Sequence, residues 1–160
     1  EHENPQSIFA KIFHNKAIFA AERFVQNYIN TFSANFLFIK GGTNNAHNIE
    51  NFGNMYLVES LFLFLGLIYL IALKKGKERN LVLWWFFIAP IAASLTKDAP
   101  HTNRTFAVFP ILPLVVAFGI WWGITQLNKK YQYPAIALVT VLFIINIGVY
   151  LDRYYVHLSK

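Results

Sequence analysis

The stretch "TFAVFPILPLVVAFGIWWGITQL", residues 105–127, contains no ionisable side chain. A helix needs roughly 20 apolar residues to cross a hydrocarbon layer about 30 Å thick, and this stretch is long enough. It is apolar on every side, whereas a helix on a water-soluble core keeps a polar stripe. Residues 55–73, 81–95 and 134–151 repeat the pattern; the second of these is short and needs flanking residues to reach across. The expected fold class is therefore all-α, a polytopic membrane protein with about four transmembrane helices preceded by an amphipathic interfacial helix.

Composition agrees. Of the 160 residues 56% are hydrophobic and 18% aromatic, more than a soluble domain of this size can cover with polar surface. The net charge is +6, from 14 basic and 8 acidic residues. Those basic residues fall between apolar runs, which favours lipid headgroups or a phosphorylated lipid as partners rather than nucleic acid. Cysteine is absent, so no disulfide or thiolate metal site forms.

The links between spans are short: "KKGKERN" at 74–80, "TKDAPHTNR" at 96–104 and "NKKYQY" at 128–133. Short links make successive helices antiparallel, so the first and third share one face. That face carries Lys74, Lys75, Lys77, Arg79, Lys129 and Lys130; the other has Lys40, Lys97, Arg104, Arg153 and Lys160. The positive-inside rule then makes loops 40–54 and 96–104 extracytoplasmic in a multi-pass protein of the cell membrane. The organisation expected is an extracytoplasmic amphipathic helix and loop over 1–54, a four-helix transmembrane region over 55–151, and the start of an extracytoplasmic tail over 152–160.

Over residues 8–32, Phe9, Phe13, Ala20, Phe24, Tyr28 and Phe32 share one helical face, with Lys11, Asn15, Glu22, Gln26 and Asn30 on another. The spacing predicts an amphipathic helix. It either lies along the bilayer surface or packs against other helices of a larger membrane protein.

The polar groups are confined in depth. No ionisable side chain lies in the middle of any span, and Thr140 and Asn146 are the main polar residues there. Ion and proton pathways place ionisable groups within the bilayer, so a transporter is disfavoured. Candidates gather instead at one face: His47, Glu59, Lys97, Asp98, His101 and Arg104. Arg104 directly precedes the span at 105–127, and a guanidinium grips a phosphate through two parallel hydrogen bonds; a snorkelling arginine at a helix end is the plainer reading. Lys97 and His101 add positive charge, and the N-terminus of the following span favours an anion. Asp98 suits a general base, a metal ligand, a helix cap or an ion pair. Glu59 lies one turn into its span, as a functional carboxylate or a structural partner. Pro110 and Pro113 are expected to bend their span, and Gly119 with Gly123 forms a GxxxG packing pair.

Two runs, "FLFIKGGTNNAHNIENFGNMYLVESLFLFLGL" and "FFIAPIAASLTKDAPHTNRTFAVFPILPLVVAFGI", resemble the multi-spanning C-type glycosyltransferases. The branch they are similar to is the dolichyl-phosphate-mannose–protein mannosyltransferases, glycosyltransferase family 39. The resemblance rests on a Gly-rich loop with His47, a span with the early Glu59, and Asp98-x-Pro100-His101-x-x-Arg104 ahead of a proline-bearing span. It implies transfer of a sugar from a polyprenyl-phosphate carrier to an extracytoplasmic protein, lipid or glycan acceptor. It also implies a catalytic carboxylate in a first external loop. No position here matches that motif, so the chain is expected to be a C-terminal membrane portion lacking that carboxylate. Where the family has a basic residue before the loop histidine, Ala46 stands here. The substrate-binding set implied is Arg104, His101, Lys97, Asp98, His47 and Glu59. No cofactor is evident, and a divalent metal is compatible with the reading although no complete ligand set stands in the sequence. The competing readings are a non-catalytic lipid-binding or scaffolding membrane module, and half of a transporter or flippase.

Overall fold

The computed structural model describes residues 16–42, 52–96 and 99–157, and every regular element among them is helical. Helix α1 spans Lys16–Thr31 and leads into a wide helical turn at Asn35–Ile39. Helix α2 spans Glu59–Ile68 and widens over Tyr69–Leu73. Helix α3 spans Lys77–Ser94, a tight turn follows at Phe106–Val108, and α4 spans Ile111–Thr125. Helix α5 runs over Lys129–Asp152 and widens over Arg153–His157.

The core is the parallel pair α2 and α4. At one end Glu59 shares a cleft with Pro113; at the other, Tyr69 stacks on Phe118 and meets Trp121 edge-on. Midway, the two backbones nearly touch. A Cβ built at Gly66 would fall on the Val115 carbonyl oxygen, and one at Gly119 on the Phe62 carbonyl oxygen. Small residues at such a crossing are what let helices associate without a hydrophobic driving force from water. The pair therefore joins Gly119 to Gly66 on the other helix. Gly123 plays a lesser part, since a Cβ there would meet only Leu65 Cδ1, at an ordinary 3.6 Å. Leu63, Leu70, Ile111, Leu112, Val115 and Val116 are buried around the crossing.

Two prolines behave differently from expectation. Pro110 flanks the start of α4 and Pro113 lies in its first turn, where a backbone N–H would have no intrahelical acceptor. They start the helix rather than bend it. The interior prolines are Pro90 of α3 and Pro134 of α5.

Helix α1 packs antiparallel along the second half of α3. Asn27 donates from Nδ2 to the Ser94 and Thr96 carbonyls at 3.0 and 3.1 Å, satisfying acceptors that a helix C-terminus leaves open. Five residues further on, Phe32 stacks on Phe86. The Tyr28 hydroxyl donates to the Phe87 carbonyl at 2.9 Å, and burial raises its pKa above the usual phenol value. Phe24, Tyr28 and Phe32 thus form the expected apolar face, and α3 is what it packs on. The part of the predicted helix before residue 16 lies outside the described residues.

Among the described residues two helices are long and apolar enough to cross a membrane: Phe106–Thr125, of 20 residues, and Lys129–Val156, of 28. Glu59–Leu73 is apolar but shorter, and α3 opens with Lys77, Glu78 and Arg79. Helix α5 buries no residue against the rest of the chain. The two polar side chains in its middle bond to their own helix, Thr140 Oγ1 to the Ile136 carbonyl at 2.9 Å and Asn146 Nδ2 to the Leu142 carbonyl at 2.8 Å. Neither requires a partner from outside.

Gly119→Ala should force α2 and α4 apart and destabilise the protein by about 1–3 kcal/mol, the usual cost of overpacking. Gly123→Ala should stay within about 0.5 kcal/mol of wild type. Thermal unfolding in detergent, followed by tryptophan fluorescence, separates the two.

Candidate functional site

The site is built where the chain enters α2. Ser33 Oγ accepts the Phe36 N–H at 3.2 Å, and the Ser33 carbonyl accepts from Leu37. Together they wind the Asn35–Ile39 turn, whose Phe36 and Leu37 are buried. Residues 53–55 then dock on that turn. Asn54 Nδ2 donates to the Phe36 carbonyl at 2.8 Å, and the Met55 N–H to the Leu37 carbonyl at 2.7 Å. Gly53 lies so close to the Leu37–Phe38 backbone that a Cβ would collide with it. The loop between residues 40 and 54 is thereby closed at its base.

One turn later, Glu59 Oε2 accepts the Tyr56 N–H at 2.7 Å while the Glu59 N–H donates to the Tyr56 carbonyl. This is the acidic half of a capping box, in which a glutamate reaches back to a backbone donor that the helix start leaves open. The structural partner of Glu59 is therefore identified.

The same half-buried carboxylate lines a cleft of about 300 Å³ between α2, α4 and α5. Phe52, Tyr56, Phe109, Leu112, Pro113 and Tyr150 form its walls. Phe52, Tyr56 and Tyr150 meet pairwise edge-to-face, with ring centroids 5.5–6.4 Å apart. The Arg153 guanidinium lies 5.8 Å from the Phe52 ring centroid, within cation–π range. Tyr150 comes from the far end of α5, with Arg153 just beyond that helix, so the cleft draws together wall residues about a hundred positions apart in sequence. That Tyr56 and Tyr150 share this cleft with Glu59 was not visible in the sequence pattern, because it depends on the antiparallel return of α5.

His101 and Arg104 belong to a separate turn. The His101 carbonyl accepts from the Arg104 N–H at 3.1 Å, the Thr105 N–H at 3.0 Å and Thr105 Oγ1 at 2.8 Å. Thr105 is fully buried, and His101 Nδ1 is buried too. This anchors the turn and leaves the Arg104 side chain exposed. Neither His101 nor Arg104 lines the Glu59 cleft. The tight Phe106–Val108 turn, which opens the apolar stretch Phe106–Thr125, stands between Arg104 and the first residue of α4. His47, Lys97 and Asp98 lie outside the described residues. Among the described residues no three His, Asp or Glu side chains stand close enough together to hold a metal ion.

Comparison with protein families, with curated proteins and with solved structures finds no match to this chain.

Glu59→Ala removes the acceptor of the Tyr56 N–H and should cost about 1 kcal/mol, the typical effect of losing a helix cap. Glu59→Gln keeps an acceptor oxygen and should cost less than half of that. Thermal unfolding of the two variants side by side checks the difference.

Proposed function

We propose that this chain is the membrane portion of a glycosyltransferase that takes a sugar from a polyprenyl-phosphate carrier and passes it to an acceptor outside the cytoplasm. In this reading Glu59–Leu73 and α3 also span the bilayer, giving four passages with α4 and α5. The supporting observation is the His101–Thr105 turn, which holds an exposed Arg104 just ahead of the apolar helix Phe106–Thr125. That is the depth at which a lipid-linked phosphate meets protein. The order of residues from the 40–54 loop through Glu59 to Asp98-x-Pro100-His101-x-x-Arg104 supports the same assignment by its resemblance to family 39.

Arg104 binds the carrier phosphate through charge-assisted hydrogen bonds, with Lys97 and His101 adding positive charge and Asp98 orienting one of them. The bond between the sugar and the phosphate oxygen breaks, and the departing phosphate keeps the electron pair. Fixed cations stabilise that developing charge. The acceptor hydroxyl forms the new glycosidic bond and loses its proton to a carboxylate supplied from outside this chain.

In the full-length protein, Arg104→Ala should lower sugar transfer from a polyprenyl-phosphate donor by about 100-fold, the scale of losing one charge-stabilising donor. Arg104→Lys, which keeps the charge but not the fork, should recover only part of it. Steady-state transfer measured at matched expression tests this, and wild-type turnover in Arg104→Ala removes the phosphate role.

A further inference from the structure

We propose that the cleft between the wide turn Tyr69–Leu73 and α4 binds an anionic phospholipid, with its phosphate at Lys74 and an acyl chain along Leu114, Ala117 and Trp121. This is the opposite end of α4 from the Arg104 turn. The proposal rests on α4 crossing a membrane, not on the sugar-transfer reading. Three observations carry it.

The first is a lysine built into the cleft. Lys74 lines a space of about 400 Å³ together with Tyr69, Leu114, Ala117, Phe118 and Trp121. Its backbone is fixed on both sides. The Lys74 N–H donates to the Tyr69 carbonyl at 2.8 Å, and the Lys74 carbonyl accepts from Arg79 Nη1 at 3.3 Å. Lys74 is half-buried, while Lys75 and Lys77 are exposed. A lysine so placed covers its stem with apolar surface and offers its ammonium at the edge. Lys74 forms no ion pair among the described residues.

The second is surplus charge. The link 74–80 and the first turn of α5 carry Lys74, Lys75, Lys77, Arg79, Lys129 and Lys130 against one acid, Glu78. Open carbonyls at the ends of α2 and α4 favour a cation there, but they do not call for five lysines. Arg79 is engaged by Asn80 Oδ1 and the Lys74 carbonyl. The lysines remain, and basic clusters at the end of an apolar helix attract anionic headgroups.

The third is the direction of polarity. Leu114, Ala117 and Trp121 follow one another at helical spacing on one face of α4, and all three are exposed. They run about 10 Å along the helix, towards its middle from the turn that holds Trp121. Lys74 stands at the Trp121 end of this strip, because its N–H bonds to Tyr69 and Tyr69 meets Trp121 edge-on. That end is also where the apolar stretches Glu59–Leu73 and Phe106–Thr125 finish, the level at which headgroups begin. A soluble phosphate would use the lysine alone. A lipid uses the lysine and the apolar wall that leads inward from it.

The test is native mass spectrometry of the purified protein in detergent, supplied with equal amounts of phosphatidylglycerol and phosphatidylcholine. The wild type should retain phosphatidylglycerol at least about fivefold better, the scale of one lysine facing an anionic headgroup. Lys74→Gln should abolish that preference. Lys75→Gln removes the same charge one residue outside the cleft and should reduce the preference by less than about twofold. Ala117→Phe fills the cleft from an exposed position with the charge unchanged, and should lower phosphatidylglycerol retention to the level of phosphatidylcholine. Thermal unfolding at the wild-type temperature shows that each variant is folded. Excess glycerol 3-phosphate should not displace the lipid. Equal retention of the two lipids by wild type, or undiminished phosphatidylglycerol retention in a folded Ala117→Phe protein, overturns the proposal. So does an equal loss in Lys74→Gln and Lys75→Gln, which makes the effect one of general surface charge. Displacement by glycerol 3-phosphate overturns the assignment to a lipid and leaves a site for free phosphate.

Discussion

The central contact of the molecule is between two backbones, where Gly66 of α2 meets the Val115 carbonyl and Gly119 of α4 meets the Phe62 carbonyl. This contact sets the distance and the register of the central pair. Because the helices run parallel in that register, Glu59 comes level with Phe109 and Pro113, and Tyr69 level with Phe118 and Trp121. Dispersion contacts over the matched surfaces of Leu63, Leu70, Leu112, Val115 and Val116 are individually small and collectively large. They operate in lipid as they do in water, which matters for helices this apolar.

Polar groups are used sparingly and at the edges. Asn27 satisfies carbonyls at the C-terminus of α3, Asn54 ties the loop base to the Asn35–Ile39 turn, and Trp85 Nε1 donates to the Ala107 carbonyl at 2.9 Å. Each bond joins segments distant in sequence and fixes the entry to a helix or the end of one. With Glu59 reaching back to Tyr56, they assemble one end of the bundle from four separate stretches of chain. The cleft and the Arg104 turn are both products of that assembly.

Much of this was legible from residue type and spacing. The unbroken apolar runs announced helices, and short links announced their alternation, because both signals are local. The face made by Phe24, Tyr28 and Phe32 was equally plain. What packs on it was not, since a helical wheel is silent on partners. The prolines misled for a related reason: Pro113 disrupts a helix only where a turn precedes it, and the Phe106–Val108 turn delays the start of α4 until Ile111. Gly123 likewise has the spacing of a packing glycine, yet the backbone that approaches Gly119 passes it by. For the site, Glu59 and Arg104 stood out as charges beside apolar runs. Their separation into two places, and the arrival of Tyr150 at one of them, arise from contacts between distant parts of the chain that no local pattern encodes.

Helix α5 touches its own chain so little that its sequence is under a different constraint from the rest. Thr140 and Asn146 answer their hydrogen-bonding needs within one turn, and no residue along the helix is buried in a fitted core. Apart from the ring contacts of Phe143 and Tyr150 with Tyr56, and of Tyr150 with Phe52, nothing along its middle is buried against the described residues, so this chain constrains its apolar character more than its shape. Substitution there can exchange one hydrophobe for another almost freely over generations, so sequence divergence should accumulate along this rod while the glycine crossing stays frozen.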